Sequence, residues 1–360
     1  MSFSVDRIEA HAEVFRGLIP TVIKDNLPLF LPPDDPRKWK PSDILPDVGR
    51  DGVSGWQDKC AIIRNQAQTL SKPLRVVQAG NMVTEKGLAL FAAAIASIRG
   101  IEDTTGIDDN PLAQGRRRWY GDEDRHGTVT YGYANLSGIY NMAALDRSIH
   151  IFHINGFDNE ADLDIYTNLF FVVKQEKKTE IAHRRTGTMG RDQQIAAGVE
   201  GESVLYKMDM AMARDEAPHF TYYRNIFEGV IEHDPEGAVI AIRDMLKIGT
   251  IMPARYMGDF YSNDERRSTT LFDRYAEVTS RLGILTLVDD SDQDEELLKR
   301  WNIANLRLSG ESAEAQEEIF KLHKRQARYA RILEDKRRTL NEKEGEPDVS
   351  DFSWLLPDAA

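Results

Sequence analysis

A glutamate and a histidine three positions apart recur at two places in this chain. They are Glu123 and His126 in GDEDRHGT, and Glu216 and His219 in RDEAPHF. On an α-helix that spacing puts both side chains on one face, a single turn apart. Both members of a pair then reach one ion in the core of a bundle. Two such pairs on two helices, with one lone glutamate from each of two more, form the ligand set of a carboxylate-bridged pair of iron or manganese ions. A chain built on this pattern has to bring four long helices side by side.

The periodicity agrees with that demand. Helices are predicted over 5–18, 51–70, 74–99, 116–136, 142–154, 162–184, 235–252, 271–285 and 311–340, and one more around Glu216 and His219. Between them lie a break at Pro73, polar loops over 100–115 and 185–203, and a polar break over 261–269. Prolines at 28, 32, 33, 36, 41 and 46 forbid long helices early on. That stretch reads as an extended segment over the body, with Trp39 as a packing anchor. No segment sustains period-two alternation, so the chain reads as all-α. With no solenoid period and no clear linker, 1–340 is expected to be a single domain. Within it, 1–50 forms an N-terminal arm. The tail, 341–360, reads as flexible, with Phe352, Trp354 and Leu355 available to dock it.

The lone glutamates have candidates. Glu85 shares a face with Leu88, Ala92 and Ile95 at steps of three and four. A carboxylate on an apolar stripe is costly unless paired or bound to metal; the alternative is a rotated stripe and a solvated Glu85. On 162–184, Glu176 and Glu180 lie one turn apart, and Glu180 forms a third Glu-x-x-His pair with His183. Pattern leaves open which of the two points inward. Pro218 interrupts the backbone bonding of its helix, where a kink or π-bulge is expected. His150 and His153 lack a carboxylate three positions earlier and read as ordinary, partly buried histidines.

Carboxylates with imidazoles suit iron or manganese, whereas structural zinc draws on cysteine. Bridging carboxylates hold two such ions about 4 Å apart, with open positions where O2 can bind. The chemistry to expect is oxidation of an unactivated C–H bond. Cys60 is the only cysteine, so no intrachain disulfide forms, as fits a reducing compartment. It reads as a small buried residue, not a nucleophile. A net charge of −13 argues against a nucleic-acid partner. No apolar run approaches the roughly 20 residues of a membrane span, and the polar N-terminus is neither a signal nor a transit peptide.

Several segments carry a resemblance. WKPSDILPD, NMVTEKGLALF, DEDRHGTVTYGYANLSG, QEKKTEIAH and RDEAPH stand in the order and register of the soluble acyl-acyl carrier protein desaturases of the plant stearoyl type. MPARYM, LFDRYAEVTSRLGILT, LLKRWNI and LSGESAEAQE continue the match, which runs from about residue 39 to 328. The separations of Glu85 from Glu123 (123 − 85 = 38) and of Glu123 from Glu176 (176 − 123 = 53) keep the family register without a gap.

The resemblance implies a ferritin-like four-helix bundle core with additional helices and an extended N-terminal arm. It implies two iron ions, O2 as co-substrate, an acyl-loaded carrier protein, a ferredoxin-type electron donor and a homodimer, in the cytoplasm or, in a plant, the plastid stroma. It assigns Glu85, Glu123 and His126 to one half of the site and Glu176, Glu216 and His219 to the other, with Glu123 and Glu216 bridging. Thr179 would line the oxygen side and help deliver a proton. Asp215 and Trp39 would hold His126 and admit electrons.

The chain also departs from the family. Glu180 stands where an apolar aromatic residue is usual and would add an acid beside the metals. Pro218 replaces a basic residue, and the loop before Glu216 carries an insertion. The function implied is O2-dependent desaturation of a carrier-bound fatty acyl chain. These departures motivate an alternative, a divergent di-iron hydroxylase acting on a carrier-bound or free substrate. An iron-storage or interaction bundle with degenerate ligands is the remaining reading, and the long proline-rich arm disfavours a cage subunit.

Overall fold

A computed structural model of the protein describes residues 4–103, 106–161, 163–259 and 269–356. In chain order its helices are α1 (Val5–Leu18), α2 (Pro20–Asn26), α3 (Pro41–Ile44), α4 (Val48–Gln68), α5 (Lys72–Lys86), α6 (Leu88–Ala96) and α7 (Pro111–Ser137). There follow α8 (Met142–Asn155), α9 (Ile165–Ala196), α10 (Val204–His233), α11 (Pro235–Ile248), α12 (Leu271–Arg281), α13 (Leu287–Arg300) and α14 (Gly310–Glu344). Among the described residues there is no strand, only an isolated bridge between Tyr140 and Leu355. The fold is all-α, a ferritin-like bundle. Among the described residues no helix is long and apolar enough to cross a membrane.

The long helices begin where the sequence supplies a cap. Asn110 accepts from the Ala113 amide ahead of Pro111, and Asp164 accepts from the Thr167 amide. Ser203 accepts from the Tyr206 amide. Each side chain satisfies one amide that the first turn leaves without a partner. The core is a ring of contacts in which α5 meets α7, α7 meets α10, α10 meets α9 and α9 returns to α5.

Several boundaries differ from expectation. The helix expected over 74–99 is two, parted at Gly87. A Cβ there would lie 2.1 Å from the Phe152 ring, so α8 packs against a position only glycine can fill. The loop expected over 185–203 is mostly helix, since α9 runs on to Ala196. The proline-rich arm is not wholly extended: it holds a 3-10 turn at Leu27–Leu29 and the short α3. Through Pro218, α10 stays α-helical with no π-turn. The expected polar break over 261–269 lies, apart from residue 269, outside the described residues, as do residues 104, 105 and 162 of other expected segments. The tail docks: Trp354 is fully buried and its indole donates to Ser148 Oγ at 2.8 Å.

The apolar core comes in two clusters, and the four central helices pass from one to the other. On α7, Trp119 belongs to the first and Val129 to the second; on α10, Tyr222 belongs to the first and Met212 to the second. Glu123 and His126 lie between the former two, and Glu216 and His219 between the latter. Val83 and Phe91 bracket Glu85 in the same way. A polar belt therefore crosses the bundle between two apolar halves.

Candidate metal centre

The belt brings together all six side chains expected to meet there. Each is buried: Glu85 from α5, Glu123 and His126 from α7, Glu176 from α9, Glu216 and His219 from α10. Potential ligand atoms of Glu85, Glu123 and His126 lie within 4.8 Å of one another. The same holds for Glu123, Glu176, Glu216 and His219, and for Glu85, His183 and Glu216. Glu85, Glu123 and Glu216 each belong to two of these groups, and of the three Glu123 and Glu216 lie near both His126 and His219, the position a bridging carboxylate must occupy. Close helix approach makes this possible. Gly127, next to His126, faces the Glu85 backbone, where a Cβ would lie 3.1 Å from the carbonyl oxygen.

Both imidazoles turn Nδ1 toward the acids. His126 Nδ1 lies 3.1 Å from Glu123 Oε2 and 3.3 Å from Glu216 Oε1. His219 Nδ1 lies 2.8 Å from Glu123 Oε1 and 3.4 Å from Glu176 Oε2. Yet Glu123 Oε1, Glu176 Oε2 and His219 Nδ1 are buried without a hydrogen bond to satisfy them. Buried acceptors that face one another without donors are costly. A cation among them would satisfy all three, so these residues fit a carboxylate-bridged metal pair.

The electrostatics say how the cluster balances charge without metal. Burial pushes the Glu85 carboxyl up, against the pull of His183. Burial and the charge of Glu216 push Glu176 well up. Burial opposes ionisation of Glu216 too, but the facing imidazoles of His126 and His219 outweigh it and hold Glu216 well below the usual range. Burial favours neutral imidazoles, but the surrounding carboxylates win and lift both His126 and His219 well above their ordinary value. Protons occupy a site shaped for cations, and metal has to displace them.

Behind each imidazole stands an aspartate from the opposite helix. His126 Nε2 lies 3.2 Å from Asp215 Oδ2 on α10. That oxygen also accepts from Trp39 Nε1 at 2.9 Å and from Arg125 at 2.6 Å. The Trp39 ring stacks parallel to His126, centroids 6.1 Å apart. His219 Nε2 lies 3.5 Å from Asp122 Oδ2 on α7, and Asp122 is paired with Lys38 at 2.6 Å and Arg125 at 3.1 Å. A carboxylate in this place fixes the tautomer and raises ligand basicity. Sequence reasoning found Asp215 and missed Asp122. The signal was available, because the Asp-Glu doublet opens both pairs.

Three further residues settle into place. Thr179 donates to the carbonyls of Gln175 and Glu176 and lines the space beside Glu85 and Glu176. Glu180 stands apart from the cluster, its oxygens held by Lys177 and Arg184 at 2.8 Å each, where the sequence suggested an extra acid beside the metals. Glu176 and Glu180 lie on one face of α9, but Glu176 points into the belt, while Glu180, one turn further along, is drawn to basic residues a turn or less away. His183 joins the cluster through Glu85 at 3.1 Å and Asp209 at 3.4 Å; burial opposes its charge, but those carboxylates lift it to about 10. His150 and His153 are exposed, and His153 donates to the Lys86 carbonyl. Cys60 is buried.

A family model described as fatty acid desaturase matches residues 10–355. Stearoyl-acyl-carrier-protein 9-desaturase 1 of rice (Oryza sativa subsp. indica) is 32% identical over 96% of this chain and 85% of its own length. Stearoyl-acyl-carrier-protein 9-desaturase 3 of Arabidopsis thaliana is 32% identical over 96% of this chain and 81% of its own. Acyl-acyl-carrier-protein desaturase 7 of the same rice is 30% identical, over 96% and 82%.

Proposed function

The chain belongs to the fatty acid desaturase family, and from that premise we propose that it introduces a double bond into a fatty acyl chain carried on acyl carrier protein. The observation that carries the proposal is the buried set of four carboxylates and two imidazoles from four helices. Glu85, Glu123 and His126 would hold one iron and Glu176, Glu216 and His219 the other, with Glu123 and Glu216 shared between the two halves. When bound, the iron pair supplies the reduction of O2 and the oxidising power to remove hydrogen from carbon.

The protein's own residues bind, orient and exclude water. Asp215 and Asp122 hold the imidazole Nε2 atoms so that each Nδ1 faces the carboxylates. Thr179, at the wall of the cavity beside Glu176, is placed to pass a proton from its hydroxyl. The balance is two adjacent C–H bonds, O2, two electrons and two protons on one side, and one C=C bond with two waters on the other.

Electrons are proposed to enter at Trp39, from a ferredoxin-type donor. Trp39 is half-exposed, stacks on His126 and donates to Asp215. It lines a surface groove of about 490 Å3 with five basic residues, Arg37, Lys38, Arg125, Lys207 and Arg214, and four acids, Asp43, Asp122, Glu202 and Asp215, of which Asp122 and Asp215 are paired with Lys38 and Arg125. A homodimer is carried over from the resemblance, with sedimentation as its check. The relatives are named as chloroplast proteins; for this chain the proposal is plastid stroma or cytoplasm.

The test is anaerobic loading with ferrous iron, an iron count, then O2, reduced ferredoxin and a panel of acyl carrier proteins. About two irons per chain and a product two hydrogens lighter are expected. A product one oxygen heavier would make it a hydroxylase, and fewer than about one iron per chain would remove the oxidase reading.

A further inference from the structure

His183 is buried in the belt and belongs to neither half of the site as assigned above. It is the third imidazole there. The sequence pairs it with Glu180, but Glu180 turns away to Lys177 and Arg184. The contacts of His183 run across the bundle instead. Its Nε2 lies 3.1 Å from Glu85 Oε1 on α5. Potential ligand atoms of His183, Glu85 and Glu216 lie within 4.8 Å of one another. Two donors about 2.1 Å from one ion and at right angles to each other stand about 3 Å apart. The nearest acid oxygens lie 3.1 Å from His126 and 2.8 Å from His219. By that measure His183 meets the acids as the two assigned imidazoles do.

The rear of the ring repeats the pattern as well. Asp209, from α10, sets an oxygen 3.4 Å from His183 Nδ1, as Asp215 and Asp122 stand behind His126 and His219. Gly187, four residues beyond His183 on α9, makes room for it, since a Cβ there would lie 2.7 Å from Asp209 Cβ. Asp215 and Asp122 have further cationic partners in Arg125 and Lys38. Among the described residues the one ion-pair partner of Asp209 is His183. Asp209 is fully buried, and its two oxygens and His183 Nδ1 face one another without a completed hydrogen bond. Glu123, Glu176 and His219 carry the same mark of a site built for a cation. A buried carboxylate needs a donor, and an N–H at Nδ1 is the donor in reach. That leaves Nε2 with its lone pair toward the Glu85 oxygen, where two acceptors meet unless a cation lies between them. In iron-free protein a second ring proton fills that place, and metal displaces it.

Resting on the metal pair of the reading above, we propose that His183 is a seventh ligand, giving its Nε2 lone pair to the ion that Glu85, Glu123 and His126 hold, with Asp209 as the positioning residue behind it. The proton on Nε2 leaves to solvent as the bond to the metal forms, and nothing is oxidised or reduced in that step. One ion then has two imidazoles and the other has one. The ion on the side of Glu176 and His219 keeps the smaller donor set and so the more open position.

The test uses full-length protein with isotopically labelled histidine, loaded anaerobically with ferrous iron and brought to the one-electron mixed-valent state. Pulsed electron paramagnetic resonance then counts the ring nitrogens bound directly to the pair. Three are expected; two, in protein holding about two irons per chain, overturn the inference. That count is read on the unaltered chain, so no folding defect of a variant enters it. His183→Gln keeps a donor for Glu85 but is a poor ligand. It is expected to lose one of the three signals and to weaken iron binding about 10- to 100-fold, read by competition with a chelator. A hydrogen bond alone would survive that change, so an unmoved count and affinity overturn the inference too. Asp209→Asn is expected to shift the coupling of the same nitrogen and of no other; an unmoved coupling removes Asp209 from its positioning role. Fewer than about one iron per chain would overturn the metal pair and this ligand together. Three bound imidazoles without olefin from any carrier would uphold the ligand and overturn the desaturase reading alone.

Discussion

Asp122 and Asp215 do the same work on crossed helices, each holding the other helix's histidine. Loss of either charge should loosen one imidazole while leaving its fold intact. Asp215→Asn and Asp122→Asn are each expected to weaken iron binding about 10- to 100-fold, read by competition with a chelator. Equal affinity in both variants and wild type would show that the imidazoles orient themselves. Glu123 and Glu216 should matter more, since each touches both histidines. Glu123→Ala and Glu216→Ala are expected to lose turnover and most bound iron; wild-type iron content in either would remove that residue from the ligand set. Spacing exposed the two pairs before any coordinates, because a three-residue step has one meaning on a helix. It could not choose between Glu176 and Glu180, which share one face of α9 and differ in their height along it, and which height meets the other three helices depends on partners distant in sequence.

At the scale of elements, glycine misled. Gly187 and Gly190 read as loop, yet both sit inside α9. A Cβ on Gly187 would lie 2.7 Å from Asp209 Cβ, and one on Gly190 would lie 2.5 Å from Leu205 Cδ2. They are there because α10 packs too close for a side chain, a tertiary reason that no local window contains. The caps are local, since Asp164, Asn110 and Ser203 act within three residues of themselves, yet the sequence reading set Asn110 and Ser203 inside loops. Asp164 makes a testable case. It is fully buried, accepts from the Thr167 amide and hydroxyl, and lies 2.5 Å from His11 Nδ1. Burial would raise its carboxyl, but the His11 contact and the capping bonds hold it below the ordinary value. A depressed carboxyl contributes stability above its unfolded value of about 3.9, and that contribution is lost as pH falls through the lower folded value. Asp164→Ala should therefore cost about 1–2 kcal/mol at neutral pH, with the gap to wild type closing below about pH 4. Urea unfolding followed across pH checks this, and a gap constant into strong acid would refute it.

For the molecule as a whole, the polar belt is a cost that the two apolar halves carry. Four acids and three imidazoles are buried across the bundle where hydrophobic side chains would otherwise join its two clusters. In iron-free protein the belt is held by shared protons, with Glu176 pushed up by burial and by Glu216. Iron that binds only the folded state should add stability by mass action, on the order of 4 kcal/mol at a thousand-fold excess over the dissociation constant. Chelation is accordingly expected to lower the melting temperature by several degrees. The more discriminating measurement compares variants without metal. Glu176→Gln keeps the shape of the side chain and removes one acid from a crowded set, so its iron-free form should melt above iron-free wild type. Loaded, the order should reverse, because the amide is a poor substitute for a ligand carboxylate. Such a crossing would locate the cost of the belt in its acids and the return in its metals. If the iron-free variant melted lower instead, Glu176 would be holding α9 to α10 through its contact with His219, and the belt would be a source of stability in its own right.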